Sequence, residues 1–193
     1  MIALQTIASR ENDPHDPVVV TVGSIHGGTK HNIIPDEVKL QLTIRTFTHA
    51  VREKTLAAIR RIAEGQARSA GVPENLMPVV KEAELFTPVV QNDPALTRRV
   101  EDALRERFGK ESVKMRLATM GGEDFSRYAM TEDKIPICIF WLGTIPPKRV
   151  EEAAKGGNPL PSLHSPFYKP DADDSLHYGV GSLSEAVQAA LAQ

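Results

Sequence analysis

Three short segments gather the side chains best suited to chemistry. The first is Gly27-Gly28-Thr29-Lys30-His31-Asn32-Ile33-Ile34-Pro35-Asp36, followed thirteen residues after Asn32 by Arg45 in Thr43-Ile44-Arg45-Thr46-Phe47. An asparagine amide can donate to a developing oxyanion, and a planar guanidinium can grip a carboxylate through two parallel hydrogen bonds. The plainer reading makes Asn32 a turn residue and Arg45 one half of a strand salt bridge. The second segment, Met120-Gly121-Gly122-Glu123-Asp124-Phe125-Ser126, joins two glycines to two carboxylates. The glycines let backbone approach a ligand, whereas the carboxylates serve either a site or the cap of a following helix; spacing alone favours the cap. The third, Leu163-His164-Ser165-Pro166-Phe167, holds an imidazole in a loop stiffened by proline, a sound metal donor but a solitary one.

The other histidines are weaker candidates. His15 falls in a turn, His49 in the first turn of a helix and His177 on the last helix; His26 and His31 flank the Gly-Gly-Thr run, but loop neighbours at that spacing are poor evidence for a metal. The single cysteine, Cys138, lies in an apolar run and reads as a small hydrophobe; one cysteine excludes an intrachain disulfide framework and fits a reducing compartment.

The elements that must carry these groups follow from periodicity. Residues 2–8 have helical spacing without a start signal, like the end of an interrupted element, and Asn12 to Pro17 is a turn cluster. Val18 to Ile25 and Val38 to Phe47 read as strands, the second with clean apolar alternation. From the N-cap Thr48 to about Ser69, Val51, Leu56, Ile59, Ile62, Ala63 and Ala67 trace one face of a helix that ends near Gly71. A strand over about Met77–Phe86 is expected next. This order is a split β-α-β motif lacking its first strand.

A second region opens with Asn92-Asp93-Pro94, a capped, proline-first helix start, and continues through Leu96, Val100, Ala103, Leu104 and Phe108. A core strand over 135–142, a loop from Thr144 to Pro170 and a helix from about Asp173 to Ala190 complete it. Leu176, Val180, Leu183, Val187 and Leu191 share one side of that last helix. The expected division is 1–90 and 91–193.

Composition narrows the partners. Lys and Arg total 23 against 25 Asp and Glu, a formal charge of -2, so nothing in the overall charge favours nucleic acid or an anionic membrane. The longest strongly apolar stretch, 135–142, is far short of the roughly 20 residues that cross a bilayer, and the opening residues do not read as a signal peptide, which points to the cytoplasm.

On the Gly-Gly-Thr, Asn-Ile-Ile-Pro-Asp, strand-borne Arg, Gly-Gly-Glu-Asp-Phe and His-Ser-Pro-Phe segments, the chain resembles metal-dependent amidohydrolases of the hippurate hydrolase and N-acyl-amino-acid hydrolase type. The resemblance implies an α+β, ferredoxin-like lid that forms homodimers, then the carboxyl-terminal part of an α/β metallopeptidase-like catalytic domain. It implies that Asn32 contacts the scissile carbonyl or its oxyanion across the dimer and that Arg45 binds the substrate carboxylate. Gly122 and Glu123 would line the substrate site, and His164 would bind one of two metals, zinc, manganese or cobalt. The family's remaining ligands, a Cys-x-His motif, a Glu-Glu pair and another histidine, have no counterpart before residue 26. The reaction implied is hydrolysis of the amide of an N-acyl or N-aroyl amino acid, with this chain alone catalytically incomplete. The alternative is a non-catalytic dimerisation module derived from such an enzyme.

Overall fold

The computed structural model describes residues 1–192 and divides them into two compact units. The first holds Met1–Val90 together with Ala118–Arg127; the second holds Gln91–Leu117 and the chain from Tyr128 onward. The architecture is α+β, with one two-stranded antiparallel sheet and four α-helices among the described residues.

In the first unit, β1 (Val18–Gly27) pairs with β2 (Val38–Thr46), and the alternation expected of a half-buried strand sets the register. Val18, Val20 and Val22 lie opposite Thr46, Ile44 and Leu42, so the apolar residues share one face. A bulge at Gly23 shifts the pairing, after which Ile25 lies opposite Leu40. Gly27 ends the strand where a Cβ would come within 2.8 Å of Val38 Cγ2, so only glycine fits without movement.

The apolar face packs on α1 (His49–Ser69) and on the opening residues, which form a 3-10 turn over Ile2–Gln5 and a π turn over Ile7–Glu11. Leu4, Ile7, Val20, Ala58 and Ile59 make the core, flanked by Val18, Val22, Leu42, Ile44, Ile62 and Val80. Helix α1 starts where Thr48 Oγ1 accepts the Val51 N–H at 3.2 Å. It ends at Gly71, whose φ of 72° is left-handed, with the Val72 N–H closing back on the Ala67 carbonyl at 3.0 Å.

The strand expected over Met77–Phe86 is absent. A strand exists only where a neighbour completes its ladder, and here the segment is tied instead to α1 by side chains. Glu82 accepts from Arg52 Nη2 at 2.9 Å and from Arg60, and the Arg52 guanidinium lies 4.1 Å from the centre of the Phe86 ring. Hydrogen bonds from Arg60 and then Arg52 hold the Glu82 carboxyl below the usual carboxylate range. A depressed folded value means that this clamp stabilises above the ordinary carboxylate pKa of 4.5 and is lost as acid carries the pH below it. Between about pH 6 and about pH 3 the urea midpoint of the wild-type chain should therefore fall further than that of Glu82→Gln, which has no charge to lose. Equal falls would show that the clamp contributes nothing.

In the second unit, α2 (Pro94–Phe108) begins as expected, with Asp93 capping the Leu96 N–H at 2.7 Å and proline in first position. The 135–142 run is extended but, like 77–86, is not a strand of any sheet. Its backbone bonds go elsewhere: Asn92 donates its amide to the Ile139 carbonyl at 2.8 Å and accepts the Ile139 N–H at 2.9 Å, while the Asp93 N–H reaches the Ile137 carbonyl at 2.7 Å. Ile137 is buried, whereas Ile135, Ile139, Phe140, Trp141 and Leu142 are exposed, so this is not the core strand the apolar run suggested. The stretch from Thr144 to Pro170, expected to be loop throughout, contains a short helix α3 (Pro147–Ala154) with proline at its first turn.

Helix α4 (Ala172–Leu191), capped by Asp171, packs on α2. Small residues and one aromatic pair carry the contact. Ser182 is buried, a Cβ on Gly181 would meet Phe108 Cζ at 2.9 Å, and Tyr178 stacks edge-on against Phe108 with ring centres 5.6 Å apart. The leucine and valine stripe of α4 is left largely exposed, with Leu176, Val180, Leu183 and Leu191 each more than 60% exposed. Among the described residues no helix is long and apolar enough to cross a membrane.

Candidate functional site

Strand β2 positions Arg45. Because Leu42, Ile44 and Thr46 point toward the core side, Arg45 must point to the opposite face, where it is exposed across from Val19. There its Nη1 donates to the carbonyl of Met120, in the Ala118–Arg127 segment that belongs to the same unit. The fold thus places a guanidinium beside Gly121 and Gly122, although Arg45 is far from both in the chain. One terminal nitrogen is engaged by Met120, which leaves the Nε–Nη2 edge with the donor geometry of a planar anion site.

The Gly121-Gly122 pair is exposed, and neither residue has a left-handed φ. A Cβ at Gly122 would only touch Thr87 Cγ2 at 3.9 Å, so the fold itself does not demand glycine there. Glu123 is exposed and caps the turn that follows: its Oε1 accepts the Phe125 N–H at 3.3 Å, and its carbonyl accepts from Ser126 Oγ at 3.2 Å. The capping role weighed from spacing is therefore present. Buried Ser126 and Arg127 fasten the end of the segment to residues 86–88, Ser126 Oγ donating to the Pro88 carbonyl and Arg127 to that of Phe86.

Asn32 lies elsewhere. It sits in the loop that joins the strands, in a turn closed by the Ile33 N–H and the Lys30 carbonyl at 3.4 Å, and it is exposed. Arg45 is near the opposite end of β2, seven residues beyond Val38, or about 23 Å at the rise of an antiparallel strand. Asn32 and Arg45 thus belong to opposite ends of the hairpin. His164, in the second unit, is exposed in a turn whose Ser165 N–H bonds the Ser162 carbonyl at 2.9 Å; it is not enclosed in an apolar interior.

Among the described residues, no group of three or more His, Cys, Asp and Glu side chains is placed to hold a metal ion. His164 is in no such group, and neither are His26 and His31. The described side chains of this chain do not, by themselves, fit a metal. Cys138 is half-buried, with the Thr97 hydroxyl 3.7 Å from its sulfur. The Arg52–Phe86–Arg127 stack and the Arg45–Met120 bond were not legible in the sequence, because each joins residues that only the fold brings together.

Comparison with known proteins agrees with the motifs. Residues 1–70 match the family model described as the peptidase dimerisation domain. The chain is 35% identical over 180 residues to N-acetyldiaminopimelate deacetylase of Enterococcus faecalis, covering 93% of this chain and 42% of that protein. It is 32% identical over 191 residues to IAA-amino acid hydrolase ILR1-like 2 of Arabidopsis thaliana, covering 97% and 39%. A crystal structure of an aminohydrolase from methicillin-resistant Staphylococcus aureus superposes with a TM-score of 0.72 at 25% identity, over 98% of this chain and 43% of that one. The chain thus spans about two fifths of the length of the relatives it matches. Together these matches support an amidohydrolase superfamily of the hippurate hydrolase type, with residues 1–70 as its dimerisation domain. These similar enzymes carry the names of amide-bond hydrolases, a deacetylase and an IAA-amino acid hydrolase.

Proposed function

We propose that this chain supplies the substrate-gripping groups of a hydrolase that cleaves the amide of N-acyl or N-aroyl amino acids. The observation that carries the reading is Arg45: an exposed guanidinium, oriented by the Met120 carbonyl, with a bidentate edge left beside Gly121 and Gly122. An N-acyl amino acid presents the matching groups, a free carboxylate and, a few ångströms away, the amide to be cut. Gly122 offers open backbone next to the guanidinium, and Glu123 borders the same turn.

The separation of Asn32 from Arg45 along the hairpin supports a reading in which the oxyanion contact comes from a second copy. In this reading the chain forms a homodimer through its lid, and Asn32 of one copy donates its amide to the carbonyl oxygen of a ligand held by Arg45 of the other. The match of residues 1–70 to a dimerisation domain supports that arrangement. The same match is what favours the alternative, a non-catalytic dimerisation module; the two readings differ in whether the dimer takes a small carboxylate.

The reaction in this superfamily is metal-assisted, and His164, exposed on its turn, is the one donor that this chain would contribute to such an ion. The described residues do not complete a coordination shell.

Ligand-observed saturation-transfer NMR on the purified chain tests the substrate class. N-acetylglycine and N-benzoylglycine should give saturation transfer, and N-acetylglycinamide, which keeps the acyl amide but lacks the carboxylate, should give none. Equal transfer from the blocked compound would overturn recognition through the carboxylate.

A further inference from the structure

The Ala118–Arg127 segment is an excursion: the chain on either side of it belongs to the second unit, yet the segment itself is part of the first. Such a piece keeps its conformation only through the contacts it makes on arrival. Its far end is well fastened, by buried Ser126 to the Pro88 carbonyl and by Arg127 to the Phe86 carbonyl. Its near end, 118–123, has no helix or strand, and the bond that reaches it from elsewhere in the unit comes from Arg45. Arg45 in turn stands on β2, whose register is fixed by a buried apolar face.

We propose that Arg45 is a positioning residue as well as a ligand-binding one: its bond to the Met120 carbonyl is the strut that fixes the Gly121-Gly122-Glu123 turn against the sheet. The guanidinium is suited to both tasks, because one terminal nitrogen serves the carbonyl while the Nε–Nη2 edge stays open. A single side chain then sets both the anion grip and the placement of the backbone beside it. The strut itself is independent of what the site binds; only the purpose of the positioned turn rests on the carboxylate reading above.

Hydrogen exchange followed by mass spectrometry on the full chain tests the strut with wild type, Arg45→Ala and Arg45→Lys. The reporter is the Phe125 amide, which bonds to Glu123 Oε1 and so depends on where the turn is held; loss of the Arg45 bond should speed its exchange about tenfold in Arg45→Ala, while β1, β2 and α1 stay protected. Lysine can still donate to a carbonyl but cannot present a bidentate edge, so Arg45→Lys should recover most of the protection at Phe125. Wild-type exchange at Phe125 in Arg45→Ala would overturn the proposal, as would a lysine variant no better protected than alanine. Addition of N-acetylglycine separates the two ideas: a turn that loosens in Arg45→Ala but is indifferent to this ligand in the wild type keeps the strut and counts against the carboxylate reading.

Discussion

Ile59→Ala is expected to lower the unfolding free energy of the first unit by about 2–5 kcal/mol, the range for truncating a buried isoleucine. Ile59 is 5% exposed and packs in the same cluster as Ile7, Leu4, Val20 and Ala58. Two considerations put the effect high in that range. A two-stranded sheet has little stability of its own, so the hairpin depends on the helix face beneath it. The cluster is also small: its five buried members join the opening turns, β1 and α1, and a cavity at Ile59 touches all three. Urea unfolding monitored by circular dichroism would show the loss as a lower midpoint at nearly unchanged slope. Ile7→Ala should behave alike, and the double variant should lose less than the sum, since the two side chains line one cavity. A loss below about 1 kcal/mol for Ile59→Ala would mean that the hairpin is held by something other than this core.

Much of this was legible in the sequence because it depends on local rules. Thr48, Asp93 and Pro94 mark helix starts by chemistry that acts within one turn, Gly71 marks a helix end, and the alternation from Val38 to Thr46 fixes which way Arg45 points. The failures share a cause. The runs at 77–86 and 135–142 have strand-like composition, but strand structure belongs to a pair of segments, and neither finds a ladder partner among the described residues. Helix α4 shows the matching limit for helices. Periodicity located its leucine and valine stripe, yet the contact with α2 runs through Gly181, where close approach to Phe108 selects a small residue, and through the Tyr178–Phe108 ring pair, and the stripe is left exposed. At the candidate site, the family resemblance named Arg45, Gly122 and Glu123, but only the fold shows that Arg45 meets Met120 and that Asn32 stands at the other end of the hairpin.

The second large effect concerns binding. A guanidinium that holds a carboxylate through two charge-assisted bonds contributes far more than a lone neutral hydrogen bond, and its removal leaves the anion with no fixed counter-charge. Arg45→Ala should therefore weaken the affinity for N-acetylglycine by about tenfold to a hundredfold. Arg45→Lys should fall between the two, since an ammonium keeps the charge and loses the fork. Core variants such as Ile59→Ala, read under conditions where they remain folded, should bind as the wild type does, because Ile59 lies on the buried side of the sheet and Arg45 on the other.

The most direct test is a titration of nitrogen-15-labelled wild-type chain with N-acetylglycine, observed at the Arg45 Nε–H resonance and at the Gly121 and Gly122 amides. The expected result is a saturable shift of all three signals that is absent with N-acetylglycinamide and lost in Arg45→Ala. An Arg45 signal that does not move, or an affinity that Arg45→Ala leaves unchanged, would contradict the account.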